Sequence, residues 1–315
     1  MDGLPQNKLR GFIIAGSSSI AFGFIPLFTL PLMALGLRTP SILAYRFLIA
    51  ALAMFPLLLY KRIDLKLTWR EAGILLTLGL IYVCSAMGLQ LGYLYMPSGI
   101  ATVVHFTYPV YVILLMFLLY GQKPSGVTVF AILLAFLGVL FLSGVGGFAV
   151  DRHFLIGMLI VAPTGLAYAS YMVIVNKSVV RTMNNIKLSF FALLVCGMGF
   201  FVIALFWDGI QAIPSLEAWG LTLALAIVPT VVANISLVEG VKQVGSTMSA
   251  VLGALEPLTA VVIGFFVFDE KLTLLHLLGI VLILVSVLLI ALSGRIAYRL
   301  EVWKLRRRHK IGAKR

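Results

Sequence analysis

Apolar residues in this chain run in long blocks, and polar residues are confined to short breaks between them. Ten blocks emerge: about 11–35, 41–60, 71–94, 99–120 and 125–145, then about 155–176, 187–207, 217–239, 245–268 and 273–294. Each approaches the roughly 20 residues that carry an α-helix across a bilayer core. The pattern predicts an all-α polytopic membrane protein with ten transmembrane helices. The apolar run after Lys8 and Arg10 extends to about Leu35. That is longer than the 7–15 residue apolar core of a secretory signal, so it reads as a first span.

The blocks repeat. Laying Leu89–Ser143 over Leu237–Ala291 without a gap, at an offset of 148, brings Gly92 onto Gly240 and Ser98 onto Ser246. Pro109 then meets Pro257, Phe117 meets Phe265 and Lys123 meets Lys271. The opening helices match more weakly, with Gly11, Ile14 and Ala21-Phe22 falling on Gly157, Ile160 and Ala167-Tyr168. Five helices per half is an odd number, so the second copy enters the membrane from the opposite side. The expectation is two inverted five-helix repeats, 1–150 and 151–294, followed by a basic tail 295–315. Such halves place a solute site near the midplane, where they meet.

Composition agrees with the pattern. The chain is 62% hydrophobic and 11% charged, with a mean hydropathy of +1.11. A soluble domain carries about 25% charged residues. The net charge of +13 does not point to nucleic acid, because the basic residues flank apolar blocks. Alternate breaks receive twenty Lys and Arg on one side, counting the tail, and on the other only Arg38, Arg152 and Lys271. The positive-inside rule then places both termini in the cytoplasm of a plasma (inner) membrane protein. The tail interleaves Leu300, Val302, Trp303 and Leu305 with its basic residues and is expected to lie on anionic lipid. Cys84 and Cys196 sit inside apolar blocks and read as small packing residues.

Few polar residues fall deep in the blocks. Glu256 is placed at the middle of helix nine, directly before Pro257, which removes the amide that would have bonded the Gly253 carbonyl. A carboxyl group at that depth costs about 2.5–3.5 kcal/mol and faces a cavity or a partner. It is either a substrate-amine or proton site, or a structural cap or cross-bundle pair. His105 and Pro109 form the matching pair in helix four. The imidazole either titrates in the physiological range or bonds Tyr108 or another helix. Arg46, near the outer end of helix two, is a snorkelling anchor, a buried ion pair or a gate. Asn234 is a cavity donor candidate, since an amide in hydrocarbon needs a partner. Glu239 and Lys242 form an i,i+3 pair. Phe22 and Tyr168 occupy matching positions and, with Tyr108, are placed to wall an apolar cavity. Ser19 belongs to a run of small residues suited to close packing or to that cavity. Pro163 and Pro229 break helices six and eight and are hinge candidates if they face protein.

The second copy reads Leu255-Glu256-Pro257-Leu258-Thr259-Ala260, then Asp269-Glu270-Lys271-Leu272-Thr273 and Gly279. Together with Tyr108-Pro109-Val110, Lys123 and Tyr45-Arg46-Phe47-Leu48, this resembles the EamA branch of the drug/metabolite transporter superfamily over nearly the whole chain. The first copy departs from the pattern, because Gly121-Gln122 lacks the acidic residue. The resemblance implies a ten-helix exporter or facilitator of amino acids, related metabolites or drugs, with a cavity lined by both halves. No cofactor or metal is expected. The histidines His105, His153, His276 and His309 are scattered, which argues against a membrane-embedded enzyme. A non-transporting scaffold would leave the repeated prolines and Glu256 without a purpose. No Gly-x-x-x-x-Gly-Lys-Ser/Thr run occurs, so an ATP-driven step in this chain is not expected. The expected cargo is a small molecule, moved by alternating access on a solute or ion gradient.

Overall fold

A computed structural model describes residues 6–96, 98–142, 152–207, 209–267, 274–275, 277–286 and 288–289. Every regular element among them is helical: α1 Gln6–Phe22, α2 Ile25–Ala34, α3 Thr39–Tyr60, α4 Trp69–Gly92, α5 Ser98–His105, α6 Tyr108–Tyr120 and α7 Gly126–Leu142. The second half adds α8 Arg152–Lys177, α9 Asn185–Trp207, α10 Leu216–Ala226, α11 Ala233–Val244, α12 Ser246–Leu252 and α13 Leu255–Val267. A further stretch, α14, covers Leu277–Ser286. The basic tail and parts of the predicted tenth helix lie outside the described residues.

Local chemistry fixes the ends. Thr68 and Glu71 form a reciprocal capping box at the start of α4, and Ser215 accepts from the Ala218 N–H at the start of α10. After α6, Gly121 takes the left-handed conformation at φ +64°, and the Gln122 N–H closes back onto the Met116 carbonyl. Among the described residues, six helical segments are long and apolar enough to cross a membrane. Their outward faces are greasy: Leu52 is 71% exposed and Phe206 88%. Side chains this apolar are stable at such exposure only against lipid.

Four predicted spans are interrupted. The first divides at Gly23-Phe24 into α1 and α2. The eighth contains a π-helical turn over Ile227–Val232, between α10 and α11. The fourth and ninth, predicted as continuous over 99–120 and 245–268, break at Phe106-Thr107 and Gly253-Ala254. These breaks fall within one residue of equivalent positions in the repeat. Pro109 and Pro257 cause both, since each lacks an N–H and its ring collides with the carbonyl four residues back. Each proline instead sits in the first turn of the following helix, where the missing donor costs nothing. Glu256 therefore stands in the first turn of α13, at a helix start rather than inside a continuous helix nine.

Packing is reciprocal between the halves. α3 lies on α9, α1 packs on α11 as α8 packs on α4, and α12 touches α6 as α13 touches α5. The last two contacts make the broken helices cross antiparallel. Single residues repeat the exchange. A methyl at Gly92 would overlap Val161, and one at Gly240 would stand 2.8 Å from Ala15 Cβ. Ser18 donates to the Ala233 carbonyl at 2.8 Å, and Ser85 to the Thr164 carbonyl at 3.4 Å. In repeat register these are one contact made twice, with the hydroxyl supplied from opposite members.

Candidate functional site

The interruptions converge on a cavity. Phe22 brings the end of α1, Arg46 the first third of α3, Gln90 and Tyr93 the end of α4, His105 the end of α5, Tyr168 the middle of α8 and Glu256 the start of α13. Helix ends gather here because broken helices free polar backbone groups, which lipid cannot satisfy.

Arg46 is buried at 4% exposure instead of reaching the outer interface. Its Nε donates to Thr230 Oγ1 at 2.7 Å, its Nη2 to the Pro229 carbonyl at 3.3 Å, and its guanidinium carbon lies 4.9 Å from the Phe47 ring centre. The π turn supplies those acceptors. Pro229 has no N–H to offer the Leu225 carbonyl, and the Thr230 hydroxyl donates to it instead, at 2.8 Å. With its single hydrogen spent, that hydroxyl can only accept from Arg46.

His105 is held the same way. Its Nδ1 lies 2.8 Å from Thr164 Oγ1, and the Thr164 hydroxyl donates to the Val161 carbonyl at 2.6 Å. The imidazole must therefore be the donor at Nδ1, and in the neutral ring Nε2 is then an acceptor. Thr164 follows Pro163 as Thr230 follows Pro229. A hydroxyl directly after a proline, within the continuous α8 at Pro163 and at the π turn at Pro229, thus orients each of the two nitrogenous side chains in the cavity wall.

Glu256 is half-buried and faces the same cavity as Arg46, yet no ion pair within 4.0 Å joins them. Two opposite charges left apart in a poorly solvating space each lack a full counterpart. Aromatic rings wall the space between. Phe22 meets Tyr168 edge-on at 6.5 Å, Tyr108 meets Tyr168 edge-on at 4.9 Å, and His105 lies 5.4 Å from Tyr168. Tyr108 backs this wall, with its hydroxyl where a side chain on Gly253 would stand.

Other expected residues fall outside the lining. Asn234 is fully buried and donates to the Thr230 carbonyl at 2.9 Å, serving the π turn. Ser19 bonds the Ala15 carbonyl of its own helix. Pro109, Pro257 and Pro229 are buried at the breaks, whereas Pro163 is exposed on the outer surface of α8. Glu239 and Lys242 do not pair with each other. Glu239 meets Arg10 at 3.5 Å and accepts from Gln243, and Lys242 Nζ donates to the Met183 carbonyl. Gln90, Thr164 and Thr230 are not among the residues that the sequence pattern singles out. The one signal on offer was a threonine directly after a proline in two apolar blocks.

A multi-pass bundle whose broken helices surround an aromatic cavity with buried charges defines a membrane transporter. The EamA-like transporter family model matches residues 9–144 and again 155–292, and the chain belongs to that family, within the drug/metabolite transporter superfamily. Among similar proteins are uncharacterized transporters of Synechocystis sp., 22% identical over 62% of this chain and 59% of that protein, and of Archaeoglobus fulgidus, 27% identical over 61% and 66%. A Bacillus subtilis transporter, likewise uncharacterized, is 22% identical over 50% of this chain and 52% of its own length. The chain thus aligns with between about half and two thirds of each relative. A solved crystal structure of a protein shares the fold with a TM-score of 0.78 at 18% identity, covering 93% of this chain and 99% of its own.

Proposed function

We propose that this protein is a secondary transporter that moves small metabolites with a hydrophobic or aromatic part across the plasma membrane by alternating access. The cargo class includes amino acids, related solutes and drugs of that shape. In this reading the halves are inverted five-helix repeats, 1–150 and 151–294, with both termini in the cytoplasm. The basic tail rests on anionic lipid. The observation that carries the reading is a carboxylate and a guanidinium facing one aromatic-walled cavity without touching each other. A solute with polar groups and a flat apolar body supplies what both lack.

Support for alternation comes from the two ends of the bundle. At one end, Gln211 ties the turn after α2 to the segment before α10. Its side chain bonds the Gly36 carbonyl and the Arg38 N–H, and its backbone bonds Ser41 and Tyr45. At the other end, Lys187 reaches the Lys66 carbonyl and Lys242 the Met183 carbonyl. In the repeat, the turn after α2 corresponds to the one after α8, and the segment before α10 to the one before α4. The start of α3 bonds the segment before α10 at one mouth, and the start of α9, its counterpart in the repeat, bonds the segment before α4 at the other, as a carrier that opens at one side at a time requires.

The test is counterflow of radiolabelled aromatic amino acids in vesicles holding the purified protein. Uptake is expected in wild type and is lost, or loses its pH dependence, in Glu256→Gln. A Glu256→Gln protein with full uptake and an unchanged pH profile removes the carboxylate from the mechanism. Wild-type protein that moves no solute in a broad screen overturns the reading.

A further inference from the structure

One polar group in the cavity wall has no structural employment. Gln90 lies in the last turn of α4, is 3% exposed, lines the cavity beside Leu89 and Tyr93, and its Nε2 has no hydrogen-bond partner. A buried amide donor left unpaired carries its whole desolvation cost, so buried donors without acceptors are rare and call for a reason. The remaining polar groups give one. Arg46 on α3 and Gln90 on α4 present donors, while His105 Nε2 on α5 and Glu256 on α13 present acceptors. The donors come from α3 and α4, and the acceptors from α5 and α13.

We infer that Gln90 is a specificity-determining residue of this cavity, whose side-chain amide donates to a hydrogen-bond acceptor, a carboxylate or carbonyl, on the cargo. The assignment rests on the reading of the cavity as the solute site. It makes the cargo a bifunctional molecule, with its acceptor toward α4 and any amine toward Glu256. The empty protein holds Gln90 unpaired, and loading pairs it. Selectivity follows because a cargo without the acceptor leaves the amide as it was, and a site built to bond a polar group rejects analogues that lack it.

The experiment has two arms, on the full chain in detergent. In the first, Gln90→Met, which keeps length and removes the amide, is melted without solute. Its melting temperature is expected to rise by about 2–4 °C, since an uncompensated polar group is gone. A melting temperature at or below wild type overturns the inference, because it means that the amide has a structural partner. In the second arm, three probes share one ring: tryptamine with the amine alone, indole-3-propionate with the carboxylate alone, and tryptophan with both. Wild type is expected to bind indole-3-propionate and tryptophan in preference to tryptamine. Gln90→Met is expected to cut that preference by about tenfold, the worth of one such bond in a dry site. Gln90→Glu, which replaces the donor by an acceptor, is expected to reverse it. A preference that survives both substitutions overturns the inference. Tyr168→Ala separates this result from the underlying reading. Normal solute binding without the aromatic wall sinks the cavity as the site, whereas lost binding there with Gln90 variants unaffected sinks only the role of Gln90.

Discussion

Two threonine hydroxyls decide how the charged interior is presented. Thr230 and Thr164 each spend their only hydrogen on a backbone carbonyl, at 2.8 and 2.6 Å, and so are committed to accept from Arg46 and His105. Thr230→Val keeps the shape and removes the acceptor. A hydrogen bond from a charged donor contributes about 1.5–3 kcal/mol, and its loss inside a bundle frees Arg46 to swing toward Glu256. The expected outcome is a lowered melting temperature together with weaker solute binding in the counterflow assay. Thr230→Ser, which restores the oxygen, is expected to recover both. Recovery of stability alone would mean that the hydroxyl does not position the guanidinium. Sequence reading reached Phe22, Tyr168, His105 and Glu256 because repeat register and depth in a block mark them. It did not reach Thr164, Thr230 or Gln90. Threonine and glutamine inside apolar runs are commonly satisfied by their own helix, and only the fold reveals which are not.

At the scale of helices, prolines were legible and their effect was not. The hydropathy pattern predicts continuous spans through Pro109 and Pro257, yet each proline ends one helix and starts another. A central proline does both when tertiary packing keeps the freed carbonyls away from lipid. The π turn at Pro229 was invisible as such, because an extra residue in a helical turn leaves no periodicity signal over six residues. The Gln211 tie belongs to this scale as well. It was hidden because its side chain bonds only backbone groups, in a segment about 170 residues earlier in sequence. Gln211→Ala deletes both side-chain bonds and leaves the backbone bonds in place. A cysteine placed at Leu37, now 4% exposed, is expected to react with an aqueous thiol reagent several-fold faster in that variant. An unchanged rate would show that the side chain does not hold this mouth shut.

For the whole molecule, hydropathy alone captured the multi-pass bundle, and the repeat alone captured the likeness of its halves. What neither carried was the reciprocity of contact, α1 on α11 answering α8 on α4, since apolar surfaces are interchangeable in sequence and specific only in packing. Gly92 against Val161 and Gly240 against Ala15 are one close contact made twice, and we propose that both act as pins on which the halves turn. In the inverted arrangement proposed above, the two contacts sit toward opposite faces of the membrane, and on that reading their strengths are weighed against each other whenever the carrier turns. A methyl at Gly92 tips the resting population one way, a methyl at Gly240 tips it the other, and both together bring it back toward level. A bias of 1.4 kcal/mol changes the ratio of the two facing states about tenfold. Thiol labelling of the Leu37 cysteine in the single and paired alanine variants reads that balance directly. Single variants that shift it in the same direction would mean that the pins are not counterweights.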